Sequence, residues 1–182
     1  MAPRFDFPLV EYSCVRDSLH TGDVVTFDSD ELLGIAIRHF AGAGTHTAMV
    51  ARFQDVPGRI FLLQALAPGI VPVLMSHQIS GYDGRVYVSR APSNAVQQLN
   101  MLEIGMNMVG NQVRYDYWAL LMNALHRVPM KLDHHSYCTE FVQYVHDQVG
   151  VLQPQITAMI PGEYLTLGWP TMQLAAYSSE GG

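Results

Sequence analysis

The stretch "THTAMVARFQDVPGRIFLLQAL", residues 45–66, decides how the chain folds. Its outer segments, 45–53 and 58–66, are rich in apolar and β-branched residues, as strands are. The "QDVPG" between them supplies the Asp, Pro and Gly that suit a turn. We therefore predict a β-hairpin here.

Two polar side chains of this hairpin are candidates for function. Side chains alternate along a strand, so His46 shares a face with Ala48 and Val50. If the hairpin register is even, Gln64 lies on that same face and can accept a hydrogen bond from the imidazole. The structural alternative is a core histidine that is satisfied by a backbone carbonyl.

On both sides of the hairpin, the pattern predicts a first half that is rich in strands, with one helix, and a second half that is helical. Strands are predicted at 21–29, 69–79 and 84–91, and helices at 28–42, 93–112, 115–128 and 137–151. Asp23 is expected to close a turn before the first strand, and 161–170 to form a loop or a short turn of helix. This order predicts an α+β fold in a single domain, 1–182.

The composition excludes several classes of function. The 182 residues, 49% hydrophobic and 14% charged, suit one globular domain. A net charge of −6, with ten Lys and Arg, argues against nucleic acid. The two cysteines do not form a disulfide framework, and no window approaches the roughly 20 apolar residues of a membrane span. The first residues lack a secretory signal pattern, so we expect a soluble protein, cytoplasmic or associated with a phage particle.

A third candidate, Cys138, lies in "KLDHHSYCTEFVQYVHDQVG" (131–150), where a polar loop becomes the last predicted helix. A helix N-terminus carries partial positive charge and lowers the pKa of a thiol placed there. Ser136 is the predicted cap of this helix. The backbone N–H of Cys138 would be among the unpaired donors of the first turn and could face a developing oxyanion. Cys138 is therefore a candidate nucleophile.

Two other interpretations of Cys138 stay open. One is a small apolar packing residue, the commoner role of a buried cysteine. The other is a metal ligand beside Asp133, His134 and His135, although no second ligand pair is evident elsewhere in the sequence.

A catalytic cysteine needs a base, and His46 is the candidate. The third group of such a set, here Gln64, mainly orients the histidine ring.

Four motifs, in their order along the chain, carry a resemblance to a known family: "LHTGDVVTF", "GTHTAMVARF", "IFLLQALAPGIVPVLM" and "SYCTEFV". They resemble the circularly permuted branch of the NlpC-type, papain-like cysteine hydrolases, the YiiX/YaeF-like proteins. Lecithin–retinol acyltransferase-like enzymes share the permuted order, in which the histidine strand precedes the cysteine helix. The resemblance covers about residues 19–165.

The resemblance implies a papain-like fold, in which an antiparallel β-sheet or barrel packs against helices. It implies Cys138 as nucleophile, His46 as general base, and Gln64 in the place of the family's usual acidic orienter, which is a departure. Tyr137 and Glu140 would flank the nucleophile, as a packing residue and a solvated or capping acid, or with a direct role.

The function that the resemblance implies is hydrolysis of an amide bond in cell-wall (peptidoglycan) peptides, without cofactor or metal. A lipid-type or thioester acyl group is the alternative substrate class. The departure at Gln64 favours a different alternative, a catalytically weak binding or structural module, for example in a viral particle.

Overall fold

The computed structural model describes residues 5–29, 44–66, 69–109, 114–115, 135–136, 138–153 and 159–177. The strands within these ranges are β1 (Leu9–Val10), β2 (Val24–Ser29), β3 (His46–Ala51), β4 (Phe61–Leu66), β5 (Gly69–Leu74), β6 (Gly84–Ser89), β7 (Arg114–Tyr115), β8 (His135–Ser136) and β9 (Thr171–Leu174). The helices are α1 (Tyr12–Val15), α2 (Met75–Ile79), α3 (Ala95–Met108) and α4 (Cys138–Gln148), with 3₁₀ turns at Arg16–Ser18 and Pro161–Thr166. The helices predicted at 28–42 and 115–128 lie outside the described residues, except for positions 28–29 and 115, which belong to strands.

Seven of the described strands form one sheet, in the order β1-β9-β6-β2-β3-β4-β5. Neighbouring strands are antiparallel except for β1 and β9, which run parallel. The predicted hairpin is formed by β3 and β4, with Val50 opposite Leu62 and Ala51 opposite Phe61. The register is even, which is the condition under which Gln64 shares a face with His46. The predicted α+β class, with a sheet against helices, is confirmed.

The two faces of the hairpin pack into different cores. Met49 and Leu63 share one core cluster with the buried apolar face of α4, which includes Phe141 and Val145. On the opposite face, the alternate residues of the same strands pack with buried residues of α1 and α2 (Ala48, Val50, Leu62, Tyr12, Met75 and Ile79). Since both faces are covered, the strands are apolar almost throughout.

The turn before β2 explains the Gly-Asp pair of the sequence. Gly22 has a φ of +96°, a backbone conformation that residues with a side chain rarely adopt, and a Cβ here would also lie 2.2 Å from the end of the Met101 side chain, so glycine is favoured. Asp23 is buried, and its carboxylate accepts hydrogen bonds from the backbone N–H groups of His20 (2.9 Å) and Ala91 (3.2 Å). The structural role expected for Asp23 is confirmed.

The prediction of a single strand over 69–79 is wrong. The chain is extended only as far as Leu74 and continues as helix α2. Met75 and Ile79 are both buried and stand four positions apart, which is helical spacing hidden inside an apolar run. None of the helices in the described ranges combines the length and apolar character needed to cross a membrane.

Candidate active site

Cys138 and His46 meet at the points where their elements begin. Cys138 is the first residue of α4, and His46 is the first residue of β3. Their side chains hydrogen-bond each other. The predicted cap, Ser136, lies in β8 instead, and residue 137 lies outside the described residues.

The alternation used to place His46 does not by itself bring it to the thiol. Ala48 and Val50, which share its parity, pack in the core on the face away from α4. His46 reaches Cys138 because it stands at the very start of its strand, where the residue is half-buried. The position along the strand therefore matters as much as the face.

Gln64 holds the imidazole from its other side. Nε2–H of His46 donates to Oε1 of Gln64 at 2.8 Å, and Gln64 is fully buried. The amide oxygen can only accept, so Nε2 carries the proton and Nδ1 keeps its lone pair. This is the tautomer in which the ring can take a proton from the thiol. The three residues proposed from the sequence thus lie together.

Burial is the largest single influence on the pKa of the Cys138 thiol, but the charge interaction and the hydrogen bonds that oppose it are larger together. Cys138 is 0% exposed, and burial by itself raises the pKa of a thiol. The charge interaction with His46, together with hydrogen bonds from His46 and Thr47, lowers the pKa of Cys138 to about 7. Burial also acts to lower the pKa of His46, but the contacts with Cys138 and Gln64 raise it overall. Near neutral pH the pair can therefore share one proton as thiolate and imidazolium.

Two contacts of the site were not identified from the sequence. The Thr47 backbone hydrogen-bonds the sulfur, and the side chain of Gln78 in α2 accepts a hydrogen bond from the Gln64 amide at 3.4 Å. Gln78 carried no signal because it falls in the stretch predicted to be a strand. Of the residues flanking the cysteine, Tyr137 lies outside the described residues. Glu140 is buried, so its interpretation as a solvated acid is wrong.

The described residues do not test the metal interpretation of Cys138, because its other candidate ligands lie outside them. Among the described residues, no three His, Cys, Asp or Glu side chains form a group that could hold a metal ion. The proposed ligands Asp133 and His134, with the side chain of His135, lie outside the described residues. His146 is fully buried, and each of its ring nitrogens already lies within 2.8 Å of a backbone carbonyl oxygen.

The comparisons with known proteins bear on the fold. No family model and no curated protein matches the chain. Among solved structures, the chain is similar to the crystal structure of the metalloprotein YiiX from Escherichia coli O157:H7, with a TM-score of 0.60 and 15% sequence identity. The similarity covers 87% of this chain and 98% of that one. At this level of identity the likeness shows the fold alone, so the chain has a YiiX-like α+β fold.

Proposed function

We propose that this protein is a cysteine hydrolase that cleaves an amide bond by acyl transfer through Cys138. The observation that carries the proposal is the continuous hydrogen-bonded line from Cys138 through His46 to Gln64. A thiol with a pKa of about 7, beside an imidazole held in the accepting tautomer, meets the requirements of nucleophilic catalysis. The permuted, NlpC-type papain-like assignment from the sequence motifs agrees with the YiiX-like fold and is part of this proposal.

In the proposed reaction, Nδ1 of His46 takes the thiol proton as the Cys138 sulfur attacks the substrate carbonyl carbon. The positive end of α4 stabilises the oxyanion of the tetrahedral adduct. As the C–N bond breaks, His46 gives its proton to the leaving nitrogen, which departs as an amine and leaves a thioester on Cys138. His46 then deprotonates a water molecule that hydrolyses the thioester, which yields a carboxylic acid and restores the thiol.

The proposed substrate class is the cell-wall peptide, because the motifs of the chain resemble those of enzymes that act on peptidoglycan. Lipid-type and thioester acyl groups are the second class, since the same attack by Cys138 transfers an acyl group from an ester or a thioester. The two classes differ in the leaving atom, which is nitrogen in the first and oxygen or sulfur in the second.

A binding module is the second candidate function, and the complete burial of the Cys138 sulfur favours it. In that case Cys138 and His46 would be a buried polar contact that stabilises the start of α4, and the amide at Gln64 in the place of an acid would reflect the lack of selection for rapid proton transfer.

Turnover assays separate these candidates. The protein is incubated with muropeptides, phospholipids and acyl thioesters, and the products are identified by mass spectrometry. We expect cleavage of an amide bond by the wild-type protein, none by Cys138→Ala, and undiminished cleavage by Cys14→Ala, because Cys14 is an exposed thiol outside the site. Failure of the wild-type protein to turn over any of the three classes would overturn the hydrolase and favour the binding module.

A further inference from the structure

Because Gln64 is an amide and not a carboxylate, it matters which end of its side chain faces His46. A carboxylate presents an acceptor to the histidine whichever way it turns, whereas an amide presents oxygen at one end and N–H at the other. The two ends are almost equal in size, so packing around the buried Gln64 does not choose between them. If the amide were reversed, its N–H would face Nε2 of His46, the ring proton would move to Nδ1, and the ring could no longer take the thiol proton.

The neighbour of the Gln64 amide nitrogen bears on this orientation. Nε2 of Gln64 donates to Oε1 of Gln78 at 3.4 Å. Leaving a buried amide N–H without an acceptor is costly, so an acceptor at this point favours the orientation in which Gln64 turns its oxygen toward His46. Gln78 is partly buried on α2, a different element from the three residues of the site.

We propose that Gln78 is a positioning residue whose carbonyl oxygen selects the orientation of Gln64, and thereby the tautomer of His46 that can accept the proton of Cys138. Its importance for catalysis rests on the proposed function, but the tautomer itself can be measured without turnover. With Gln78 as its acceptor, the amide of Gln64 can orient His46 as a carboxylate would do without such a neighbour.

Gln78 is itself an amide, and the two glutamines can in principle reverse together. In the reversed arrangement of these hydrogen bonds, the Gln78 side-chain N–H donates to the Gln64 oxygen, and the Gln64 side-chain N–H donates to His46. The two arrangements put the His46 proton on opposite ring nitrogens. Substitutions that fix the hydrogen-bonding role of residue 78 therefore distinguish the two arrangements. Gln78→Glu can only accept a hydrogen bond, Gln78→Lys can only donate one, and Gln78→Leu can do neither.

The first measurement is the rate of Cys138 alkylation at neutral pH across this series. We expect Gln78→Glu to react within about twofold of the wild-type rate and Gln78→Leu about threefold to tenfold more slowly, the loss of one hydrogen bond. Gln78→Lys should be slower by at least about tenfold, because it favours the wrong tautomer. The matched control is His77→Leu, an exposed neighbour on the same helix, which should leave the rate unchanged. Thermal unfolding of each variant checks that it is folded.

The second measurement reads the tautomer directly from the ¹⁵N chemical shifts of the His46 ring. It uses a Cys138→Ala background at about pH 8, above the ordinary histidine pKa of about 6.5, so that the ring is neutral. We expect the proton on Nε2 with Gln78 and with Gln78→Glu, and on Nδ1 with Gln78→Lys. A proton that stays on Nε2 in Gln78→Lys, with unchanged alkylation in the Lys and Leu variants, would overturn the role of Gln78. A tautomer that switches in a protein that turns over no substrate would support that role and count against the hydrolase.

Discussion

Two histidines, the half-buried His46 and the fully buried His146, lie at opposite ends of helix α4. At the first residue of the helix, the ring of His46 lies between Cys138 and Gln64. In its last turn, His146 is fully buried, with Nδ1 2.7 Å from the Val142 carbonyl oxygen and Nε2 2.8 Å from that of Gly22. Burial lowers the pKa of His146 in spite of these hydrogen bonds, whereas the contacts with Cys138 and Gln64 raise the pKa of His46.

The difference between the two rings lies in their partners. Backbone carbonyls do not titrate, so His146 can only tie α4 to the turn before β2. A thiol can lose its proton to the ring, so His46 is coupled to a reactive group. The chemistry of the hydrogen-bonded partner therefore distinguishes a structural histidine from one that is coupled to a reactive group.

The largest effect is expected from His46→Ala. Without the imidazole, burial is no longer opposed by its charge, so the pKa of Cys138 should rise from about 7 to at least the ordinary thiol value of about 8.5. Alkylation of Cys138 at pH 7 should slow at least about tenfold, and amide cleavage by about 1000-fold or more. Stopped-flow alkylation and product assays measure the two effects. Retention of the wild-type alkylation rate would break the proposed coupling.

The complementary change, His146→Ala, should act on stability and not on the thiol. It removes a fully buried ring with contacts to two carbonyls, which should lower the free energy of unfolding by about 3 kcal/mol. Urea denaturation measures this loss. The pKa of Cys138 should stay within experimental error of the wild-type value. If His146→Ala changed this pKa as well as the free energy of unfolding, the distinction between the two rings would be removed.

The His146 contribution also has a defined pH dependence. Because the pKa of His146 in the folded protein is lowered, the unfolded chain takes up the proton first, at about pH 6.5. The stability that His146 provides is thus present above that pH and is lost as the pH falls further. The difference in unfolding free energy between wild type and His146→Ala should accordingly shrink between pH 7 and pH 5. A difference that grows over this range would contradict a neutral buried ring.

The smallest effect on stability is expected from a change at Asp147, next to His146, because no hydrogen bond offsets the burial of its carboxylate. Within the described part of the chain, neither carboxylate oxygen has a hydrogen-bond partner, and burial raises the pKa of Asp147 to about 6. The folded protein therefore holds this proton more tightly than the unfolded chain, and the ionised group destabilises it at neutral pH. Asp147→Asn should raise the free energy of unfolding by about 1 kcal/mol at pH 7, a value reduced because the residue is only partly buried. The gain should vanish near pH 4, which calorimetry at both pH values can check, and a gain of equal size at both would exclude ionisation as its cause.

The residues of the site that could be predicted from the sequence are those that a local pattern places. The pairing of His46 with Gln64 was predicted from side-chain alternation on the condition that the hairpin register is even, and the observed register meets that condition. The approach of Cys138 depends on how β3 and α4 are placed in space, which no local pattern specifies, and it entered through the resemblance of motifs. Gln78 could not be found, because a four-residue helical spacing inside an apolar run was interpreted as a strand.

The central claim is that the imidazole of His46 activates the buried sulfur of Cys138. The most direct test is the pH dependence of iodoacetamide alkylation, followed at each cysteine by peptide mass spectrometry, with the exposed Cys14 as internal reference. We expect the Cys138 rate to rise with an apparent pKa of about 7, well below that of an ordinary thiol at about 8.5. A Cys138 profile at or above the ordinary value, or a Cys138 that stays unmodified in the native protein while Cys14 reacts, would contradict the claim.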